Sequence, residues 1–152
     1  MSEKHNKPQR ILVADDDPAV LRFLRTVIET EGYMAITARE GKEAYKLLQS
    51  EGPFVVAVLD VIMPHIEGTD LVKYMQSERR LMKIPVIMMT AAQNPCLSSE
   101  SFSAGAVAFL PKPFSDSQLK TMLRMFIKRG QTEAKEMNNR PDRNFERRNH
   151  RQ

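Results

Sequence analysis

The stretch Phe54-Val55-Val56-Ala57-Val58-Leu59-Asp60-Val61-Ile62-Met63-Pro64-His65-Ile66-Glu67-Gly68 constrains the fold more than any other part of the chain. Its apolar run has no helical polar stripe, is rich in valine and closes on a single carboxylate. That is the pattern of a strand buried on both faces of a parallel sheet. Asp60 then stands at the strand's carboxyl end, the edge where open α/β sheets bind ligands because the connecting loops diverge there. Met63-Pro64 stops the strand, and Gly68 is expected to supply a permissive backbone where the next helix begins.

The same pattern recurs on both sides of this stretch. Ile11-Leu12-Val13-Ala14 is a short apolar run that ends in Asp15-Asp16-Asp17, and Tyr33 to Ala38 can form a second strand. Pro85 to Thr90 gives a fourth strand ending in a hydroxyl, and Val107 to Leu110 a fifth, followed by Pro111-Lys112-Pro113. Helical patterns fill the intervals. Asp17 before Pro18 reads as an N-cap, with Val20, Leu21, Phe23, Leu24, Val27 and Ile28 as an apolar face. Ala44, Leu47 and Leu48 place a second helix between about Gly41 and Ser50, and Leu71, Val72 and Met75 mark a third. The pattern around Pro95 to Ser103 contains four serines, which favour caps over helix interiors, so this helix is expected to be less stable than the others. Ser115 with Gln118 forms a capping box ahead of Leu119, Met122, Leu123 and Phe126. Five strands alternating with five helices predict an α/β fold, a doubly wound five-stranded parallel sheet flanked by five helices.

Residues 1–9 read as a flexible N-terminus and 10–130 as one domain, with 131–152 a disordered basic tail or a truncated linker. The net charge of +4 belongs to the ends: residues 1–10 hold three basic and one acidic side chain, residues 131–152 six and four, and the body is neutral. The body therefore carries no electrostatic footprint for DNA, and the low aromatic content, 7%, argues against a stacking surface for nucleic acid. Cys96 is alone and gets no chemistry. The charged N-terminus lacks the apolar core of a secretory signal and no apolar run approaches membrane-spanning length, so a soluble cytoplasmic protein is expected.

Asp15, Asp16, Asp60, Thr90 and Lys112 each close or follow a buried strand, so the predicted topology gathers them at one sheet edge. Carboxylates crowded together repel by several kcal/mol and need a cation to remain ionised. Oxygen donors without His or Cys point to a hard ion, Mg²⁺ before all, with Mn²⁺ as the alternative. Lys112 can pair with a carboxylate or with an incoming phosphate. Such a set suits phosphoryl transfer onto an aspartate.

Taken jointly, Ile11-Leu12-Val13-Ala14-Asp15-Asp16-Asp17, Asp60-x-x-Met63-Pro64-x-x-x-Gly68, Thr90-Ala91 and Phe109-x-x-Lys112-Pro113 resemble the receiver domain of two-component response regulators, over about residues 9–130. The resemblance implies the flavodoxin-like receiver fold and makes Asp60 the phosphoacceptor. It implies that Asp16, Asp60 and the backbone carbonyl of Ile62 bind Mg²⁺ directly, with Asp15 holding the ion through water. Thr90 and Phe109 match the family's switch pair, Lys112 bridges Asp60 and the phosphoryl group, and the bond to Pro113 is typically cis. It further implies a sensor histidine kinase or phosphotransfer protein as donor, and a downstream target or missing effector domain as recipient. Phosphorylation would alter the face formed by the fourth helix, fifth strand and fifth helix, also a candidate dimerisation surface. No catalysis beyond the domain's own phosphorylation and dephosphorylation is expected, nor membrane or specific nucleic-acid binding.

Two positions depart from the family's more reactive members. Ile62 and Ala92, two residues beyond Asp60 and Thr90, cannot orient a hydrolytic water, so slow loss of the phosphoryl group is expected. Two alternatives stand beside the receiver reading. A metal-dependent aspartyl phosphatase would want a second Asp as general acid where Ile62 stands. A fragment of a longer regulator would continue into an effector, and Glu146-Arg147-Arg148-x-x-Arg151 faintly resembles the opening of a PilZ domain.

Overall fold

A computed structural model describes residues 7–50, 52–92 and 94–139. The strands are β1 (Arg10–Ala14), β2 (Met34–Ala38), β3 (Val56–Asp60), β4 (Val86–Thr90) and β5 (Ala108–Pro111). They alternate with α1 (Pro18–Thr30), α2 (Gly41–Ser50), α3 (Gly68–Ser77), α4 (Cys96–Ala104) and α5 (Asp116–Asn139). All strand pairs are parallel, in the order β2-β1-β3-β4-β5. The fold is thus the doubly wound five-stranded parallel sheet with five helices that the periodicity predicts.

Every residue of β3 and β4 is buried, as strands covered on both faces must be. Alternation divides them between two cores. Leu12, Ala14, Ala57, Leu59 and Met88 pack with Ala44 and Leu48 of α2 and Leu71, Val72 and Met75 of α3. Ile11, Val13, Val56, Val58 and Ile87 pack with Leu21, Leu24, Val27 and Ile28 of α1 and Leu119, Leu123 and Ile127 of α5. Right-handed crossovers put α1 and α5 on one face and the remaining helices on the other.

Local signals start α1 and α5 where expected. The Asp17 side chain accepts from the Ala19 amide at 2.9 Å, with Pro18 in the first turn of α1. At α5 the capping box is reciprocal: Gln118 N–H donates to Ser115 Oγ at 3.1 Å and Ser115 N–H to Gln118 Oε1 at 2.8 Å. In α4 only Ser101 and Ala104 are buried, and Ser101 Oγ donates back to the Leu97 carbonyl at 2.7 Å.

Three expectations change. Helix α5 does not stop at Gly130 but runs to Asn139, so residues 131–139 are helix rather than disordered tail. One interior glycine costs only about 1 kcal/mol relative to Ala, and the following Glu133, Ala134, Lys135, Glu136 and Met137 are good helix formers. Residues 1–6 and 140–152, where the other terminal expectations fall, lie outside the described residues. Phe23, expected on the buried stripe of α1, is 38% exposed, because the core takes Leu21, Leu24, Val27 and Ile28. Gly68 is needed for closeness, not for backbone freedom: a Cβ there would collide with the carbonyl oxygen of Asp60 and lie 2.7 Å from Met88 Cε.

Candidate functional site

The sheet brings the carboxyl ends of β1 and β3 side by side, Ala14 opposite Leu59. Asp15 therefore follows β1 where Asp60 ends β3, and Asp16 stands one residue further out. Carboxylate oxygens of Asp15, Asp16 and Asp60 all lie within 4.8 Å of one another. Asp15 is fully buried and Asp60 is 5% exposed, whereas Asp16 faces solvent.

Lys112 reaches in from the loop after β5. Its backbone N–H donates to the Thr90 carbonyl at 2.9 Å, which ties it to the end of β4. Its ammonium donates to Asp15 Oδ2 and, at 3.2 Å, to Asp60 Oδ2. The remaining oxygens are held by backbone: Asp15 Oδ1 accepts from the Asp17 amide at 2.9 Å, and Asp60 Oδ1 from the Ile62 amide at 3.2 Å. No buried side-chain nitrogen or oxygen among the described residues lacks a partner.

Two carboxylates share one ammonium, and the electrostatics follow. Burial, and then the charge of Asp15, push the Asp60 carboxyl up from its ordinary 3.8 to about 6, against the opposing pull of Lys112 and the Ile62 amide. For Lys112 burial alone would favour the neutral amine. The hydrogen bond to Asp15 and the charges of Asp60 and Asp15 outweigh it and hold the ammonium above its ordinary value. The ordinary inference from such a pair of perturbed groups at a sheet edge is a functional site.

Thr90 is buried at the end of β4, where its hydroxyl accepts from the Ala92 amide at 3.1 Å. Phe109, half-buried on β5 opposite Met88, packs against the core that holds α2 and α3. Ile62 is 50% exposed and Ala92 is exposed. The Lys112–Pro113 peptide bond is cis. The structure thus brings Asp15, Asp16, Asp60 and Lys112 together, ties in Thr90 and Ile62 through the Lys112 amide and the Asp60 carboxylate and Ala92 through the Thr90 hydroxyl, and leaves Phe109 packed against the core beside β4.

Two features escape sequence reasoning. The first is the dominance of Asp15 as the partner of Lys112. The second is a cavity of about 570 Å³ beside Lys112, lined by Ala19, Val20, Phe23, Ala91, Lys112, Pro113 and Phe114. The Phe23 and Phe114 rings meet there with centroids 5.9 Å apart. An apolar residue out of phase with the buried stripe of α1, as Phe23 is, was the available signal.

A family model, the response regulator receiver domain, matches residues 11–124. The response regulator MprA of Mycolicibacterium vanbaalenii is 36% identical over 122 residues, 80% of this chain and 52% of its own length. The probable transcriptional regulator ycf27 of Porphyra purpurea is 35% identical over 124 residues, 82% of this chain and 49% of its own. The chain thus spans about half the length of the curated relatives it matches. Among solved structures, the CheY-like response regulator receiver domain protein of Methanospirillum hungatei superposes with a TM-score of 0.77 and 29% identity, covering 83% of this chain and 98% of the other. The receiver domain of Francisella response regulator 1452 does so with a TM-score of 0.72 and 31% identity, covering 80% and 98%. The matched model takes in most of the sequence, from β1 into α5, and the chain belongs to the response regulator receiver domain family.

Proposed function

We propose that the chain accepts a phosphoryl group on Asp60 from a sensor histidine kinase or phosphotransfer protein and reads it out as a changed surface. The observation that carries this is the strand-end carboxylate of Asp60 within 4.8 Å of Asp15 and Asp16 and 3.2 Å from the Lys112 ammonium.

The donor set fits Mg²⁺. Its atoms are hard carboxylate oxygens, and burial together with the charge of Asp15 raises the Asp60 carboxyl even beside the Lys112 ammonium. Asp16, Asp60 and the Ile62 carbonyl would hold the ion directly and Asp15 through water; when bound, it neutralises charge on the phosphoryl oxygens. One Asp60 oxygen attacks phosphorus as the bond to the donor imidazole nitrogen breaks, and the imidazole leaves. Lys112 offsets the added negative charge, and Thr90 turns its hydroxyl from the Ala92 amide to a phosphoryl oxygen. Phe109 then takes up the space that Thr90 vacates. A charge that rewards one conformer shifts the population toward it.

The readout would lie on α4, β5 and α5. Phe102 and Val107 are about half exposed there, and the face could carry a target protein, an effector domain or a second copy. The unmatched half of the relatives supports an effector downstream. On this reading the chain acts on no separate substrate and works in the cytoplasm; no described helix is long and apolar enough to cross a membrane. The aspartyl phosphatase alternative has no acid at the place of Ile62.

Incubation with Mg²⁺ and a small phosphodonor, followed by intact mass, tests the proposal. Wild type should gain one phosphoryl group, Asp60→Ala none. A phosphoryl group on Asp60→Ala, or none on wild type under conditions that label other receivers, would refute it.

A further inference from the structure

We propose that Arg22, Arg25 and Arg39 form a groove that binds a small free phosphate compound, of the size of pyrophosphate or a simple phosphate monoester. Arg22 and Arg25 are three apart on α1 and so share a face, and Arg39 directly follows the last residue of the edge strand β2. They line a cavity of about 240 Å³ together with Pro18, Leu21 and Thr37. This is the other flank of α1 from the cavity beside Lys112, which Ala19, Val20 and Phe23 line.

The three arginines are exposed and their guanidiniums stand outside the ion pairs of the described residues. The neighbouring acids make other contacts: Asp17 caps α1, Glu43 accepts from the Arg39 backbone amide at 2.7 Å, and Glu40 faces His65 at 3.8 Å. Other arginines of the chain are placed differently, Arg124 on Glu31 and Arg80 on the Leu48 carbonyl. Arg25 is steadied by donating to Thr37 Oγ1 at 3.3 Å.

Three guanidiniums line one groove, and an anion seated there is attracted to all of them. Guanidinium forks match phosphate oxygens two at a time, and the Thr37 hydroxyl adds a donor. The groove, about 240 Å³, is smaller than the roughly 300–1,000 Å³ that enclose drug-sized molecules and suits a compact anion. The groove contains no carboxylate, so it needs no divalent ion, which separates it chemically from the site at Asp60.

Titration of the protein with pyrophosphate in excess EDTA at about 0.15 M salt, followed by calorimetry and by the arginine Nε–Hε NMR signals, tests the assignment. Saturable binding with one equivalent is expected, with shifts at Arg22, Arg25 and Arg39. Arg25→Ala and Arg39→Ala should each weaken it by about fivefold or more, the triple alanine variant should abolish it, and Arg79→Ala, an exposed arginine outside the groove, should leave it unchanged. Binding that survives the triple substitution in a protein with an unchanged far-UV spectrum, or a response that never saturates, overturns the assignment. Labelling of Asp60 by a phosphodonor in the triple variant is read separately and bears only on the function proposed above.

Discussion

Lys112 donates to Asp60 at 3.2 Å while the same ammonium holds Asp15, fully buried on the neighbouring strand end. One cation thus serves two carboxylates, and Asp15 depends on it more, because solvent cannot reach it.

Removal of that cation should therefore be costly. Lys112→Met would leave the Asp15 carboxyl buried with the Asp17 amide as its remaining partner. Breaking a buried pair from one side costs roughly 3–5 kcal/mol. Urea unfolding at pH 7 should show a loss of this order, and added Mg²⁺ should recover a large part of it by replacing the missing charge. A variant as stable as wild type in EDTA would mean that the ammonium does not support Asp15.

Because burial and Asp15 outweigh its pairing with Lys112, the raised carboxyl of Asp60 makes stability depend on pH in a direction opposite to that of an acid whose pairing lowers it. Its native value is about 6 and its ordinary value 3.8, so between these pH values the native state binds more protons than the unfolded chain. Unfolding free energy then falls as pH rises through that window. Two units correspond to an upper bound of about 3 kcal/mol. Asp60→Asn removes the penalty, and its melting temperature should exceed that of wild type at pH 7.5 without Mg²⁺, with the gap closing near pH 4. A gap that is constant with pH would contradict the shift.

The close approach behind Asp60 yields a packing prediction. Gly68→Ala puts a methyl group against the Asp60 carbonyl oxygen, a backbone atom that cannot easily give way, and against the tip of Met88. Overpacking of this kind costs about 1–3 kcal/mol, and here it also displaces Asp60. Gly68→Ala should lose stability and be phosphorylated more slowly by a small phosphodonor. Gly52→Ala, whose Cβ meets only Arg10 Nη1 at 3.3 Å, should stay within about 0.5 kcal/mol of wild type. Equal behaviour of the two variants would show that the contact is not tight.

The residues that were readable in advance carry their reasons locally. β3 and β4 are apolar throughout because both faces are covered, and the Asp17-Pro18 and Ser115/Gln118 pairs specify helix starts within four residues of chain. Once the parallel topology is accepted, Asp15, Asp60, Thr90 and Lys112 must share an edge. What stayed hidden depends on partners distant in sequence. Gly68 answers to the main chain of Asp60, Phe23 to Phe114, and Lys112 divides itself between acids 52 and 97 residues away. The end of α5 was misread for another reason: a glycine stops a helix only where the chain beyond it prefers another conformation, and Glu133 to Met137 does not.

The surroundings of Asp60 bear on how long a phosphoryl group would persist there. Ile62, two residues beyond Asp60, is half exposed, and Ala92, two beyond Thr90, is exposed. Neither side chain can accept or donate a hydrogen bond, so neither can align a water for attack on phosphorus. The ammonium of Lys112 is likewise no base while its carboxylate partners hold it above its ordinary value. Hydrolysis would then rely on unassisted water. Ile62→Asn combined with Ala92→Glu supplies an amide and a carboxylate at the two positions, and decay of radiolabelled protein in Mg²⁺ should quicken several-fold, within the about 10²-fold that general base assistance reaches at its lower end. Both substitutions replace exposed side chains, so the melting temperature should change little. A decay rate that stays at the wild-type value in a folded, fully labelled double variant would place control of phosphoryl lifetime elsewhere in the site.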